Sequence, residues 1–174
     1  MQQIGLSPCL LNDQFRTRMK NILYMIALGG LFLLNDSCSK NDACRDKTVQ
    51  TEQAAILAYA AANNITGQLH STGIYYQVTN PGSGTTPTPY NKVFVTYTGK
   101  RMDGTVFDSQ SNSTLTGWTL GGLIQGWQIG LQLIQKGGSI KLIIPSSLAY
   151  GCQGVTGIDG NSILYFDVTL VDDQ

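Results

Sequence analysis

A chain of 174 residues in which 11 Lys and Arg balance 11 Asp and Glu has no net field with which to gather nucleic acid or an anionic surface. Its single histidine, His70, and four cysteines without a CxxC spacing argue against a metal centre, a cofactor site or an acyl-transfer triad. Charged residues are 13% of the chain and apolar ones 42%, which excludes disorder throughout and suits one β-rich domain with many turns.

Arg16, Arg18 and Lys20 lead into the apolar run from Ile22 to Leu34, which stops at Asn35-Asp36-Ser37-Cys38. A membrane-spanning helix needs about 20 apolar residues. A shorter run behind basic residues is the pattern of a secretion signal, here residues 1–37, and Met19-Lys20 would start such a signal by itself. Cys38, directly after the small Ser37, resembles the lipoprotein signal-peptidase site, although Asn35 stands where Leu is commonest. That resemblance implies a lipidated Cys38 whose several acyl chains hold the protein on a membrane of the bacterial cell envelope, expected to be the outer one. Residues 38–47 are polar and are expected to form the tether.

Thr48 or Thr51 is placed to cap a helix running to about Ala62, with Ala55, Ile56, Tyr59 and Ala60 near one face and Asn63-Asn64 ending it. Residues 48–72 therefore read as a short docking helix and its connection, with His70 in a loop. From Gly73 the period becomes that of strands: Ile74, Tyr76 and Val78 alternate with Tyr75, Gln77 and Thr79, up to the breaker run Asn80-Pro81-Gly82-Ser83-Gly84. After a Thr/Pro loop, residues 92–98 alternate again, 100–104 make a turn tipped by Asp103-Gly104, and 105–108 return as the hairpin partner. Strands are expected at 117–120, 139–144 and 162–171, and a short helix at 124–134. The sum is an α+β domain over residues 73–174. An antiparallel sheet of five to six strands covers its apolar face with the short helix bearing Trp127, Ile129 and Leu133, and another helix precedes it.

Within this frame stand Val95-Thr96-Tyr97-Thr98-Gly99 with Asp103-Gly104-Thr105-Val106-Phe107-Asp108-Ser109, then Leu123-Ile124-Gln125-Gly126-Trp127 with Gly130-Leu131. Pro145 with Leu148-Ala149-Tyr150-Gly151 follows, and Leu164 to Leu170 closes the series. In this order and spacing the motifs resemble those of the FK-type immunophilins, the FKBP-type peptidyl-prolyl cis/trans isomerases, over residues 74–171. The resemblance implies an aromatic pocket: Trp127 as the floor under a proline ring, Tyr97, Phe107 and Phe166 as walls, and Leu123 and Ile124 on the rim. It further implies that the Ile124 N–H holds a substrate carbonyl, that the Tyr150 hydroxyl donates to the carbonyl of the rotating bond, and that Asp108 orients polar groups at the edge. Ile158 matches the family's apolar residue in the loop beyond Tyr150.

Taken singly, each residue has a plainer role. Phe107 and Phe166 would be core aromatics, Trp118 a core or rim residue, Asp108 a solvated turn carboxylate and Tyr150 a surface tyrosine. Joint placement separates a site from that background. Two departures from the family pattern bear on substrate and macrolide preference: Asp159-Gly160 in place of the usual prolines, and Thr116 where some members carry a pocket aromatic.

The chemistry so implied needs no nucleophile. Prolyl rotation crosses a barrier of about 18–20 kcal/mol because amide resonance is lost, and an apolar pocket favours the less polar twisted amide over the planar one. The expected partners are proline-containing polypeptide clients, macrolide inhibitors and, through the anchor, a membrane, with the protein a monomer. An alternative is a proline-peptide-binding or holdase module with little turnover. Cys44 and Cys152 either remain thiols or close a bridge that pins the tether near the loop after Tyr150.

Overall fold

The computed structural model describes residues 44–174, so the expected signal, Cys38 and the first part of the tether lie outside the described residues. The alternating stretches pair into a seven-stranded antiparallel sheet in the order β1-β2-β6-β7-β3-β4, with β5 on the free part of β3. The strands are β1 (Gln68–Leu69), β2 (Tyr75–Asn80), β3 (Lys92–Arg101), β4 (Val106–Gln110), β5 (Trp118–Thr119), β6 (Ser139–Ile144) and β7 (Leu164–Asp173). The helices are α1 (Val49–Ala62) and α2 (Gln125–Leu131). This is the expected antiparallel α+β architecture with a leading helix. The strand beyond the expected five to six is β1, whose two residues are too few to show a period.

Register explains how one sheet serves two helices. Tyr75, Ile143 and Tyr165 lie abreast on β2, β6 and β7, and so do their neighbours Tyr76, Leu142 and Phe166. Successive side chains on a strand face opposite ways, so the first row points to one side and the second to the other. The first row packs with Ile56, Ala60 and Ile65 from α1 and its exit. The second packs with Trp127 and Leu131 of α2 in the larger core, together with Val95, Ile140, Val168 and Leu170.

Each helix follows its sequence with a correction. Thr48, not Thr51, caps α1, its Oγ1 accepting from the Thr51 N–H at 3.4 Å, and Asn64 at φ 54° turns the chain away. Ile56 and Ala60 are buried and Tyr59 half-buried, whereas Ala55 is exposed and the acidic Glu52 is buried instead. The second helix stops at Leu131, after which Leu133 and Ile134 donate to the carbonyls of Gly130 and Leu131 in tighter turns. Its inward face is Gly126, Trp127, Gly130 and Leu131, while Ile129 and Leu133 are only partly buried. Those two glycines let the helix axis approach β6, since a Cβ on either would collide with Ile144 or Leu142.

Residues Cys44 to Lys47, read from sequence as the end of the tether, are fastened to the body. Cys44 and Cys152 form a disulfide with Cα atoms 5.5 Å apart. The Asn161 side chain spans Lys47 and Arg45, accepting from the Lys47 N–H at 3.0 Å and donating to the Arg45 carbonyl at 3.1 Å.

Candidate active site

On the α2 side of the sheet, β3, β4, β7 and the start of α2 surround a cavity of about 260 Å³. Trp127 lies three residues into the chain segment opened by Ile124 and is 4% exposed, so its indole is a fixed floor. Tyr97 from β3 and Phe166 from β7 stand edge-on to it, with ring centroids 5.1 and 5.3 Å away at interplanar angles of 84° and 87°. Phe107 meets Phe166 edge-to-face at 5.6 Å. Such arrangements set the positive ring edge against the negative face, so the rings brace one another as well as excluding water. The indole Nε1–H is buried without a hydrogen-bond partner.

Phe107 and Asp108 are adjacent on β4 and would ordinarily face opposite ways. Both line the cavity because the β3–β4 register shifts between Gly99 and Lys100: Gly99 pairs with Asp108 and Lys100 with Val106, leaving Phe107 as the extra residue. A bulge of this kind re-aims a side chain. Gly99 then lies beneath the rings, where a Cβ would sit 2.7 Å from Phe107 and 2.9 Å from Phe166.

The polar edge is short. The Tyr97 hydroxyl donates to Asp108 Oδ2 at 2.6 Å. Burial, then the hydrogen bond and charge of Asp108, push the Tyr97 phenol well above its ordinary range. Tyr150, on the loop after the 3-10 turn Ser146–Leu148, also lines the cavity. Its phenol is raised by burial and by the Asp108 charge, so at neutral pH both hydroxyls are hydrogen-bond donors. Leu123 and Ile124 complete the rim, and the Ile124 N–H finds no acceptor among the described residues.

All the pocket residues expected from sequence share this cavity except Ile158. That side chain is 7% exposed and belongs to the adjoining core; its backbone pairs with Val155 across a tight turn. Trp118, which sequence left between core and rim, is 37% exposed and lines the cavity, with its ring 6.0 Å from Tyr97 and 6.4 Å from Trp127. No local pattern marks it, because its strand is only Trp118–Thr119 and both residues are exposed. Thr116 itself turns to the backbone, its Oγ1 accepting from the Val95 N–H at 2.9 Å. Asp159 is exposed, and its carbonyl accepts from the Ser162 hydroxyl. Among the described residues no group of three or more His, Cys, Asp or Glu side chains is placed to hold a metal ion.

Comparison with known proteins points the same way. The model of the family described as FKBP-type peptidyl-prolyl cis-trans isomerase matches residues 83–171. The chain is 48% identical over 103 residues to the FKBP-type peptidyl-prolyl cis-trans isomerase FkpA of Escherichia coli (strain K12), which covers 59% of this chain and 38% of that protein. It is 39% identical over 129 residues to FkpA of Aeromonas hydrophila, 72% of this chain and 48% of that one. The crystal structure of FkpA from Escherichia coli matches with a TM-score of 0.61 at 40% identity, over 72% of this chain and 62% of that one. A peptidyl-prolyl cis-trans isomerase from Pseudomonas syringae pv. tomato matches with a TM-score of 0.60 at 28% identity, over 74% and 98% of the two chains. The chain thus spans less than half the length of these two curated relatives.

Proposed function

Because this chain belongs to the FKBP-type peptidyl-prolyl cis-trans isomerase family, we propose that it catalyses rotation about X-Pro bonds in polypeptide clients by non-covalent stabilisation of the twisted amide. The observation that carries the proposal is the convergence of Trp127, Tyr97 and Tyr150 on one small aromatic cavity. A space of about 260 Å³ suits one prolyl ring and its flanking atoms. Trp127 supports the ring, and Tyr97, Phe107 and Phe166 keep water from it. The planar amide carries the larger charge separation, so the apolar enclosure disfavours it relative to the twisted form. The Ile124 N–H and the Tyr150 hydroxyl are free donors for the carbonyls on either side of the bond, and Asp108 holds the Tyr97 hydroxyl in place.

The test is a coupled isomerase assay on Leu-Pro and Phe-Pro peptides. Trp127→Ala removes the floor and is expected to lower kcat/KM by more than about tenfold. Tyr150→Phe removes one hydrogen bond of roughly 0.5–1.5 kcal/mol and is expected to cost about two- to tenfold. Unchanged rates in both folded variants would refute the proposal. Peptide affinity without acceleration in the native chain selects the holdase alternative.

The setting is also proposed. A lipidated Cys38 would hold the domain on the bacterial envelope, a compartment in which a disulfide such as Cys44–Cys152 persists. There the protein would assist folding of envelope or secreted clients, whose uncatalysed prolyl rotation takes tens to hundreds of seconds. A monomer is the proposed working unit. The same ring-lined cavity is the proposed seat of macrolide inhibitors. Metabolic labelling with a fatty acid tests the anchor, and label that survives Cys38→Ala counts against it.

A further inference from the structure

The two buried polar side chains among the described residues are Glu52, 3% exposed on α1, and Ser146, fully buried beyond β6. They are bonded to each other. Glu52 Oε2 accepts from the Ser146 N–H at 2.8 Å, and Oε1 accepts from the Ser146 hydroxyl at 2.8 Å. A carboxylate taken out of water is costly unless its oxygens are satisfied, and here one residue satisfies both.

Ser146 is a junction. It opens the 3-10 turn before Tyr150, where an N–H has no partner within the turn. Its carbonyl accepts from the Ala149 N–H at 3.0 Å and the Gly151 N–H at 2.9 Å, the two residues that flank Tyr150. The Tyr150 hydroxyl has no hydrogen-bond partner among the described residues, so its aim over the cavity follows from the course of the main chain and from packing of its ring against the core. A second tie lies just beyond, where Asp46 Oδ1 accepts from the Cys152 N–H at 2.6 Å beside the Cys44–Cys152 bridge. The whole segment that does the holding, Cys44 to Glu52, precedes the part of the chain matched to the family, residues 83–171.

We propose that Glu52 is a positioning residue of the isomerase site: its buried carboxylate fixes Ser146, and Ser146 fixes the backbone on both sides of Tyr150. The proposal rests on the isomerase function. Reacting groups displaced by about 1 Å lose rates of the order of a hundredfold, whereas binding on the Trp127 floor does not involve α1. Glu52 is therefore expected to act on kcat and not on KM.

The experiment measures kcat and KM on a Leu-Pro peptide with the full chain, well below its melting temperature. Glu52→Ala is expected to lower kcat by about two- to tenfold, no more than Tyr150→Phe does, with KM within about twofold. Glu52→Gln keeps both contacts, its Oε1 accepting from the Ser146 N–H and its Nε2 donating to the Ser146 hydroxyl oxygen, and is expected to stay within about twofold of native. In a Tyr150→Phe background, Glu52→Ala is expected to cost no more than about twofold further, because the group it positions is gone. A folded Glu52→Ala with native kcat, or a loss undiminished in the Tyr150→Phe background, overturns the proposal. If Glu52→Ala does not fold, Ser146→Ala takes its place in the same cycle. It drops one of the two bonds, with a several-fold loss of kcat expected only where Tyr150 is present, and an additive loss again overturning the proposal. A native chain without turnover overturns the isomerase function itself, while an active native chain with an indifferent Glu52→Ala overturns only the role of Glu52.

Discussion

Removing the Cys44–Cys152 bridge by the paired changes Cys44→Ser and Cys152→Ser opens a loop closed across 108 residues. In the chain-entropy treatment a loop of that length restricts the unfolded state by about 4.8 kcal/mol at 25 °C. Measured values often fall below this figure, so the expected loss in a guanidinium titration is about 3–5 kcal/mol, against roughly 5–15 kcal/mol for a whole domain. The melting temperature is expected to drop by about 10–20 °C. The direction of the kinetic change separates two physical causes. If the bridge acts on the unfolded chain, the variant folds more slowly, unfolds at nearly the native rate and shows a larger m value from its more open unfolded state. If the bridge instead braces the native loop around Tyr150, unfolding accelerates. Asp46 and Asn161 still join the segment to that loop in the variant through the Cys152 N–H and the Arg45 and Lys47 backbones. The first outcome is therefore expected. An unchanged midpoint, or a loss below about 1 kcal/mol, would refute the assignment of this cross-link as a main stabiliser.

Gly99→Ala drives a methyl between Phe107 and Phe166, 2.7 and 2.9 Å from their ring atoms, and so parts an edge-to-face pair beneath the cavity. The expected cost is about 1–3 kcal/mol in a denaturant titration together with a fall in kcat/KM, and a variant native in both would show that the rings yield freely. Alkaline pH tests the buried phenols. Tyr97 and Tyr165, and less strongly Tyr59 and Tyr150, are raised chiefly by burial above the ordinary 10.0. The folded chain thus keeps protons that the unfolded chain has released, so stability is fully present below about pH 10 and is lost as pH rises through the folded values. Melting temperatures are expected to be level up to about pH 10 and to fall beyond it, less steeply in Tyr165→Phe. A rise beyond pH 10 contradicts this sign.

What sequence disclosed and what it hid divide by range. Strand alternation and the turn Asp103-Gly104 are local, so β2, β3, β4, β6 and β7 could be read directly, and the adjacent motifs carried Tyr97, Phe107, Trp127, Tyr150 and Phe166 to one cavity. A bulge is invisible to a period of two, so nothing in Val106-Phe107-Asp108 announces that two neighbours face the same way. Ile158 has the apolar character of a pocket residue and also that of a core residue, and composition cannot choose between them. Glu52 is hidden for a different reason. A scan for an apolar face treats an acid as solvent-facing, and the partner that makes its burial tolerable lies 94 residues away. The bridge from Cys44 spans 108 residues, and its partner is a choice among cysteines that spacing leaves open. Both hidden contacts end on the same short loop, on either side of Tyr150. The rings that form the cup are therefore local in origin, whereas the aim of the hydroxyl above it depends on a segment that precedes the matched part of the chain. If that dependence holds, two chains with the same pocket motifs can differ in kcat through residues that no pocket motif contains.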